Sequence, residues 1–537
     1  MNRVRSVAAF AAVAVALSGC AWVGRVGVAS DGAQPGSGNT LATDVSSDGR
    51  YVVFTSDAEN LVANDTNSSA DVFLRDTRTG TTERVSLGST GNQGDLGGYG
   101  GLVSTDGRYV AFTSDSTNLI GTTDTNDSTD VFLRDRQANT TVRISTRNAG
   151  GQSDGGSYLQ SMTPDANQIV FDSDATNLYG ITDQNFSVDV YVRDRVANST
   201  RRVSVATNGT EGDLDSYGGS ISDDGRYVAF VSDDSGTFDP DDSGVFTDVF
   251  LRDRTLNTTT RLTALPGGDE ADFDSNDVRI SGNGKVVVFN SDASNLDLDD
   301  DGLSTDVYAK VIGTDGFERI SVAPPGSDDP NPDDYAFITD VSTNGRYVLF
   351  QSGASNLLAD PTSSSSNSFV RDRTTGTTLL AGLTTQQTEP AGADAQHSGS
   401  TPNAISGDGR YLVYSSSASD VLGPGNDANG AVEDVFMRSN PVPFIFAVTP
   451  ASMARGTTGT VNLIGSNLNA TGALIVIGDG VTVNSVVSSS STQISLSVTV
   501  AANAAPGTRT PLIVQSGTGG PAFSGGLAFL PEAFTVT

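Results

Sequence analysis

The stretch STDGRYVAF (residues 104–112), followed by DVFLRD (130–135), decides how this chain is built. Asp-Gly is the strongest short-range hairpin signal, because glycine accepts the positive φ a tight turn needs. The YVAF run beyond it shows no polar alternation, as expected of a strand covered on both faces. The same phrase ends at Phe54 (SSDGRYVVF), Phe171 (TPDANQIVF), Phe230 (SDDGRYVAF), Phe289 (SGNGKVVVF), Phe350 (STNGRYVLF) and Tyr414 (SGDGRYLVY), which with Phe112 makes seven copies. A second phrase follows each copy: DVFLRD from Asp71, Asp130 and Asp248, DVYVRD from Asp189, DVYAKV from Asp306, SFVRD from Ser368 and DVFMRS from Asp434. A third comes after a short turn, as ERVSL, VRISTR, RRVSVA, TRLTAL and ERISVA. The period is about 59 residues, within the range of propeller blades.

Each unit reads as four strands, A to D, with the Asp-Gly turn between A and B. One such sheet cannot bury both of its faces, whereas a ring of them can. The seventh unit runs into Asn440-Pro441-Val442-Pro443 without a strand D. A matching phrase, Gly24 to Ser30, stands at the other end, at the usual interval before the first DGR turn. The expectation is an all-β chain whose residues 21–439 form a seven-bladed β-propeller, with the N-terminal strand closing the last blade and removing an exposed edge.

These repeats resemble the WD-like repeats of TolB-type propellers. The resemblance implies the fold and leaves function open, since such propellers host unrelated activities. TolB itself has six blades and a separate N-terminal domain, both different here, so its envelope partners do not carry over. After the Pro-containing linker 440–443, acids become scarce in residues 444–537, and short Val/Ile/Leu runs alternate with Gly, Ser and Thr turns. VTPASMARGTTGTVNLIGSNL (448–468) resembles the opening of IPT/TIG domains, which implies an immunoglobulin-like β-sandwich with a structural or adhesive role. The segment after Gly517 departs from the usual ending of that family.

The first residues read as an export signal. Arg3 and Arg5 precede an apolar stretch, Val7 to Leu17, too short to span a bilayer. It ends in Leu17-Ser18-Gly19-Cys20, which resembles the lipobox of bacterial lipoproteins and implies lipidation at Cys20, with residues 1–20 as the signal peptide. Cys20 is the only cysteine, so no disulfide is expected in the mature chain. The 64 acids against 31 Lys and Arg give a formal net charge of −33. That field repels nucleic acid phosphates and anionic membrane surfaces alike, leaving the lipid as the only expected membrane contact. It suits cations or a basic partner, and it also serves the plainer purpose of solubility.

Catalytic signatures are scarce. His397, the one histidine, lies in a Gly/Ser-rich loop with no nucleophile beside it, and the chain has no G-x-S-x-G and no H-E-x-x-H. No catalytic residue and no organic cofactor are expected, although the many loop acids leave a carboxylate pair for glycoside chemistry open. The B–C loops carry a sharper pattern: Asp65-x-Asn67-x-x-x-Asp71, Asp124-x-Asn126-x-x-x-Asp130 and Asp183-x-Asn185-x-x-x-Asp189, with Asp297, Asp299 and Asp301 before Gly302 in the fifth unit. Alternating oxygens in a turning loop suit calcium; Asp and Asn are also ordinary turn formers. Tyr99, Tyr158, Tyr217 and Phe337 share one register before the turn. They read either as a stacking platform at the channel mouth or as inter-blade packing.

The reading is a monomeric, non-catalytic envelope lipoprotein. It presents its long-loop face to a protein or glycan partner, with calcium as a stabilising ion. A carbohydrate-active hydrolase or lyase and a structural, adhesive surface protein are the alternatives.

Overall fold

In the turn that opens at Ser104, the Ser104 hydroxyl donates to Asp106 Oδ1 (2.7 Å) and accepts the Tyr109 N–H (2.9 Å), while Asp106 Oδ1 also accepts the Arg108 N–H (2.9 Å). Gly107 adopts φ +70°. A Cβ there would stand 2.3 Å from the Tyr51 ring of the preceding repeat, so glycine is required by both conformation and contact. The structure, a computed structural model, describes residues 23–537 apart from 122–123, 149, 181–182, 325, 360, 363–365, 383–403, 424, 431, 469, 471–472, 516–525 and 531.

Around that turn, Gly98–Val103, Tyr109–Ser114, Asp130–Asp135 and Thr140–Arg143 form one antiparallel sheet in this order, as strands A to D of blade two. Six sheets of this kind follow one another from Thr40 to Leu380. A seventh is assembled from Ala404–Ile405, Tyr411–Ser416, Asp434–Ser439 and, from the other end of the chain, Val23–Arg25. The closing pairs are Val23↔Arg438, Gly24↔Met437 and Arg25↔Phe436. The strand is shorter than the phrase from Gly24 to Ser30. Val26 and Gly27 both donate to Val435 O (2.8 and 3.2 Å), and this bulge ends the ladder.

The core lies between neighbouring sheets. Val53, Val72 and Leu74 of blade one pack with Val110, Phe112 and Phe132 of blade two. Within each blade strands B and C set two aromatic rings face to face. Phe112 stacks on Phe132 with centroids 5.8 Å apart, and equivalent pairs recur from Phe54–Phe73 to Tyr414–Phe436 in all seven sheets. Each pair adds roughly 0.5–1.5 kcal/mol beyond area burial. The first two sequence phrases are also tied to each other. Arg108, from the DGR turn, forks onto Asp135, from the Arg-Asp at the end of strand C (3.1 and 2.7 Å), and its guanidinium lies 4.8 Å from the centre of the Tyr109 ring. Arg50–Asp76, Arg226–Asp253 and Arg346–Asp372 repeat the fork.

The chain divides into two compact units at Val442/Pro443. In the second, Phe444–Thr449, Thr458–Ser466, Gln493–Val500 and Val481–Ser489 form a four-stranded antiparallel sheet, accompanied by two three-stranded sheets. Its own core includes Ile445, Val461, Leu463, Leu496, Ile513 and Phe534. Among the described residues every regular element is a strand, and no helix is long and apolar enough to cross a membrane.

Candidate functional site

Strand C begins where the B–C loop ends, and its first residue is Asp71, Asp130, Asp189, Asp248, Asp306 or Asp434 in six blades and Asn367 in blade six. Strand D ends beside it with Arg84, Arg143, Arg202, Arg261, Arg319 and Arg25, and with Leu380 in blade six. Each arginine meets its aspartate in a buried ion pair: Arg84–Asp71 at 2.8 Å, Arg143–Asp130 and Arg202–Asp189 at 3.1 Å, Arg261–Asp248 at 3.4 Å, Arg319–Asp306 at 3.6 Å and Arg25–Asp434 at 3.0 Å. A hydroxyl two residues beyond the arginine completes the unit. Ser86, Ser145, Ser204 and Ser321 donate to the same aspartates at 2.5–2.6 Å, and Thr263 does so to Asp248.

Burial dominates the titration of these carboxyls. It pushes Asp130 and Asp434 up to about 6 and Asp189 and Asp306 up to about 7, against the lowering effect of the guanidinium and of the hydroxyl, whose place at Asp434 is taken by the Asn429 amide. Asp71 and Asp248 move in the same direction for the same reason.

The D-x-N-x-x-x-D residues are therefore brought together only in part. The first aspartate of each loop joins the arginine: Asp65 at 3.2 Å from Arg84, Asp124 at 3.7 Å from Arg143, Asp183 at 4.0 Å from Arg202. Asn67, Asn126 and Asn185 make no hydrogen bond with the arginine. Their Nδ2 atoms donate to Gly94 O, Ser153 O and Gly212 O of the next D–A loop (3.0, 3.2 and 2.9 Å), and their Oδ1 atoms accept the N–H two residues on. They are turn formers that bolt neighbouring loops together. In blade five Asp297 (3.2 Å) and Asp300 (3.7 Å) approach Arg319, while Asp299 and Asp301 are exposed. From strand C, Tyr308 donates its hydroxyl to Asp300 of this loop.

Sequence reading missed the arginine. The signal was the Arg column in ERVSL, VRISTR, RRVSVA, TRLTAL and ERISVA, and in Gly24-Arg25-Val26; it vanishes together with the aspartate in blade six. A further residue, from the following D–A loop, touches five of the six clusters: Gln93, Gln152, Glu211, Glu270 and Asn331. One oxygen from each of Asp183, Asp189 and Glu211 lies within 4.8 Å of the others, and the same holds for Asp242, Asp248 and Glu270. These two groups offer the donor set of a hard cation.

The shared-register aromatics divide. Tyr158 (48 %) and Phe337 (39 %) are exposed, and Phe337 packs against Tyr335 with centroids 5.1 Å apart. Tyr99 and Tyr217 are half-buried. Tyr99 donates to Asp115 (3.3 Å). Burial and then the charge of Asp233 push Tyr217 up to about 12.

Strands A of all seven blades line a central channel of ≈ 310 Å³. At one register it presents Asp44, Leu102, Ser161, Ser220, Arg279, Asp340 and Ala404. Four of these accept an N–H from the next blade: Asp44 from Val103 (2.7 Å), Ser161 from Ile221 (3.3 Å), Ser220 from Ile280 (3.1 Å) and Asp340 from Ile405 (2.9 Å). Burial raises Asp44 to about 7 and Asp340 to about 6.

Apolar side chains point out of the loops. Phe186 (75 %), Val245 and Leu303 (84 %) stand in B–C loops, and Leu96, Leu214 and Phe273 in D–A loops. Phe246 and Phe273 meet with centroids 5.5 Å apart. Cys20 and His397 lie outside the described residues.

Residues 442–518 match the family model of quinohemoprotein amine dehydrogenase, alpha subunit domain III. No curated protein matches the chain. Among solved structures, a putative TolB from Agrobacterium tumefaciens aligns at 16% identity over 52% of this chain and 79% of its own, with a TM-score of 0.34. An oligogalacturonate lyase from Vibrio parahaemolyticus aligns at 11% over 78% and 93%, with a TM-score of 0.43. The β-propeller domain of the trilobed protease from Pyrococcus furiosus aligns at 12% over 64% and 83%, with a TM-score of 0.39. Likeness at this level assigns no activity, and the fold rests on the sheet topology of the chain itself. In fold, the chain is a β-propeller whose structural neighbours are TolB-like and WD40 propellers, followed by an immunoglobulin-like domain.

Proposed function

We propose that this chain is a non-catalytic envelope protein, anchored by a lipid at Cys20, whose propeller binds a protein or glycan partner through the face carrying the B–C and D–A loops. The observation that carries the reading is the division of labour on that face. Buried loop carboxylates are turned inward onto arginines, where they hold the loops, while Phe186, Val245, Phe273 and Leu303 are turned outward into water. Exposed apolar side chains rimmed by acids are the composition of an interaction surface, with aromatics as anchors. The acidic field favours a basic partner by steering.

The channel carboxylates Asp44 and Asp340, beside Arg279, are the observation that favours the carbohydrate-active alternative. Each of them already accepts two backbone N–H groups, its own strand's and the next blade's, which suits a staple better than an acid–base pair.

The test is capture from envelope extract by the chain without residues 1–20, beside a Phe186→Asp/Phe273→Asp variant. A partner retained by the former and lost by the latter is expected. Equal retention by both, or turnover of an acidic polysaccharide that disappears in Asp44→Ser, would replace this reading.

A further inference from the structure

We propose that blades three and four each bind one divalent cation, of the calcium type, at Asp183, Asp189 and Glu211 and at Asp242, Asp248 and Glu270. The argument comes from a difference among the repeats. In blade one the D–A loop brings Gln93 to the ion pair, and its Nε2 donates to Asp65 Oδ1 (2.8 Å) and Asp71 Oδ2 (3.3 Å). In blade two Gln152 donates to Asp124 and Asn126. Blade five places the neutral Asn331 there, 2.6 Å from Arg319. Blades three and four place Glu211 and Glu270 at the same point. A glutamate adds a negative charge and has no N–H to give.

The consequence is visible at the oxygens. Asp183 and Asp242 are 1% and 7% exposed, and Oδ2 of each is buried without a hydrogen-bond partner. Their Oδ1 atoms serve the loop itself, accepting from Asn185 and Phe186 (both 3.2 Å) and from Gly244 (2.9 Å). The guanidinium does not fill the gap. Arg202 lies 3.1 Å from Asp189 and contacts Glu211, but it is 4.0 Å from Asp183. Arg261 lies 3.4 Å from Asp248 and Glu270 and 3.7 Å from Asp242, and its Nε stands 3.0 Å from Asp239 Oδ2, off the line of a hydrogen bond.

Three carboxylates around one guanidinium in blade three, and four in blade four, leave an excess of negative charge at a largely buried cluster, and isolated buried charge is among the costliest features a fold can carry. A cation on the loop side of each cluster supplies both the missing charge and the missing partner for Oδ2. Oxygens from two loops and the start of strand C suit calcium, with water and backbone carbonyls completing its shell, better than the strict octahedron of magnesium. A proton shared between two of the carboxyls is the rival way to balance the same cluster.

Equilibrium dialysis of the chain without residues 1–20 against calcium chloride, at fixed ionic strength and with a magnesium arm, distinguishes the two. The expected result is one bound calcium lost in Glu211→Gln, one lost in Glu270→Gln and both lost in the double variant. Glutamine is the residue blades one and two carry at this point, so the variants retain the local packing. Calcium should raise the Tm of the parent chain and leave that of the double variant unmoved. Calcium stoichiometry unchanged by the double substitution overturns the site. So does an absence of binding at millimolar free calcium, which assigns the charge balance to the shared proton. Magnesium binding as tight as calcium would overturn the choice of ion.

Discussion

Arg143 shows what a single residue does in this molecule. Its Nε lies 3.1 Å from Asp130 Oδ2, off the line of a hydrogen bond, and the Ser145 hydroxyl holds the other oxygen at 2.6 Å. Replacing it with leucine strands the fully buried Asp130 without a counter-ion. The expected cost is about 3–5 kcal/mol, read as the change in unfolding free energy in urea. Blade six has already made this exchange on both sides of the pair, with Asn367 and Leu380. Arg143→Leu combined with Asp130→Asn should therefore recover more than half of the loss. A single variant within about 1 kcal/mol of the parent would show that the pair contributes little. The aspartates of this network were legible as a spacing in the loops. Their partner was not, because Arg143 is 13 residues from Asp130 along the chain and only the pairing of strands C and D, Phe132↔Arg143, sets it beside the loop.

At the scale of the element, the decisive piece is the short strand Val23–Arg25. It supplies strand D of the last blade, and with it Arg25 for Asp434 (3.0 Å) and Asp427 (3.6 Å). Deleting residues 23–30 should uncover the edge of Asp434–Ser439, leave Asp434 unpaired and cost several kcal/mol. Thermal melting and size-exclusion chromatography should show a lowered Tm and a tendency to associate. An unaltered Tm would mean that the ring does not depend on this strand. That a strand was missing from blade seven could be read by counting phrases. Its length could not be, since the bulge at Val26 and Gly27 is set by the geometry of Val435 on the partner strand.

Across the whole molecule, two families of carboxylates pull stability in opposite directions with pH. The Asp106-type turns carry forks such as Arg108–Asp135, where the arginine holds Asp135 down at about 2. Such groups stabilise above the unfolded carboxylate pKa, and that contribution fades as pH falls through the folded value. The buried set behaves the other way. Asp44, Asp172, Asp189 and Asp306 sit at about 7, each raised first of all by burial. They bind protons in the folded state that the unfolded chain has released, so stability falls as pH rises from about 4 through about 7. The Tm, measured in chelator, should be higher near pH 5 than near pH 8. Asp44→Ser should flatten part of that slope, because Ser161 and Ser220 already perform the same inter-blade staple without a charge. A slope that Asp44→Ser leaves untouched would remove Asp44 from this account.

The architecture follows from local properties of the chain. Hairpin turns, unbroken apolar strands and a repeat that cannot bury both faces alone leave a ring as the economical solution. The division at the prolines after Asn440 was equally local, since composition changes there. What the loop acids do was decided only in the tertiary structure. Asp65, Asn67 and Asp71 stand together in sequence as one motif, yet the fold sends Asn67 to the next loop and both aspartates to Arg84. Glu211 and Glu270 carry no signal in their own segments. They acquire one only when the D–A loop lays each against the cluster of the blade before it. A carboxylate's role is set by the charges and donors around it, and those come from distant strands that only folding brings within reach.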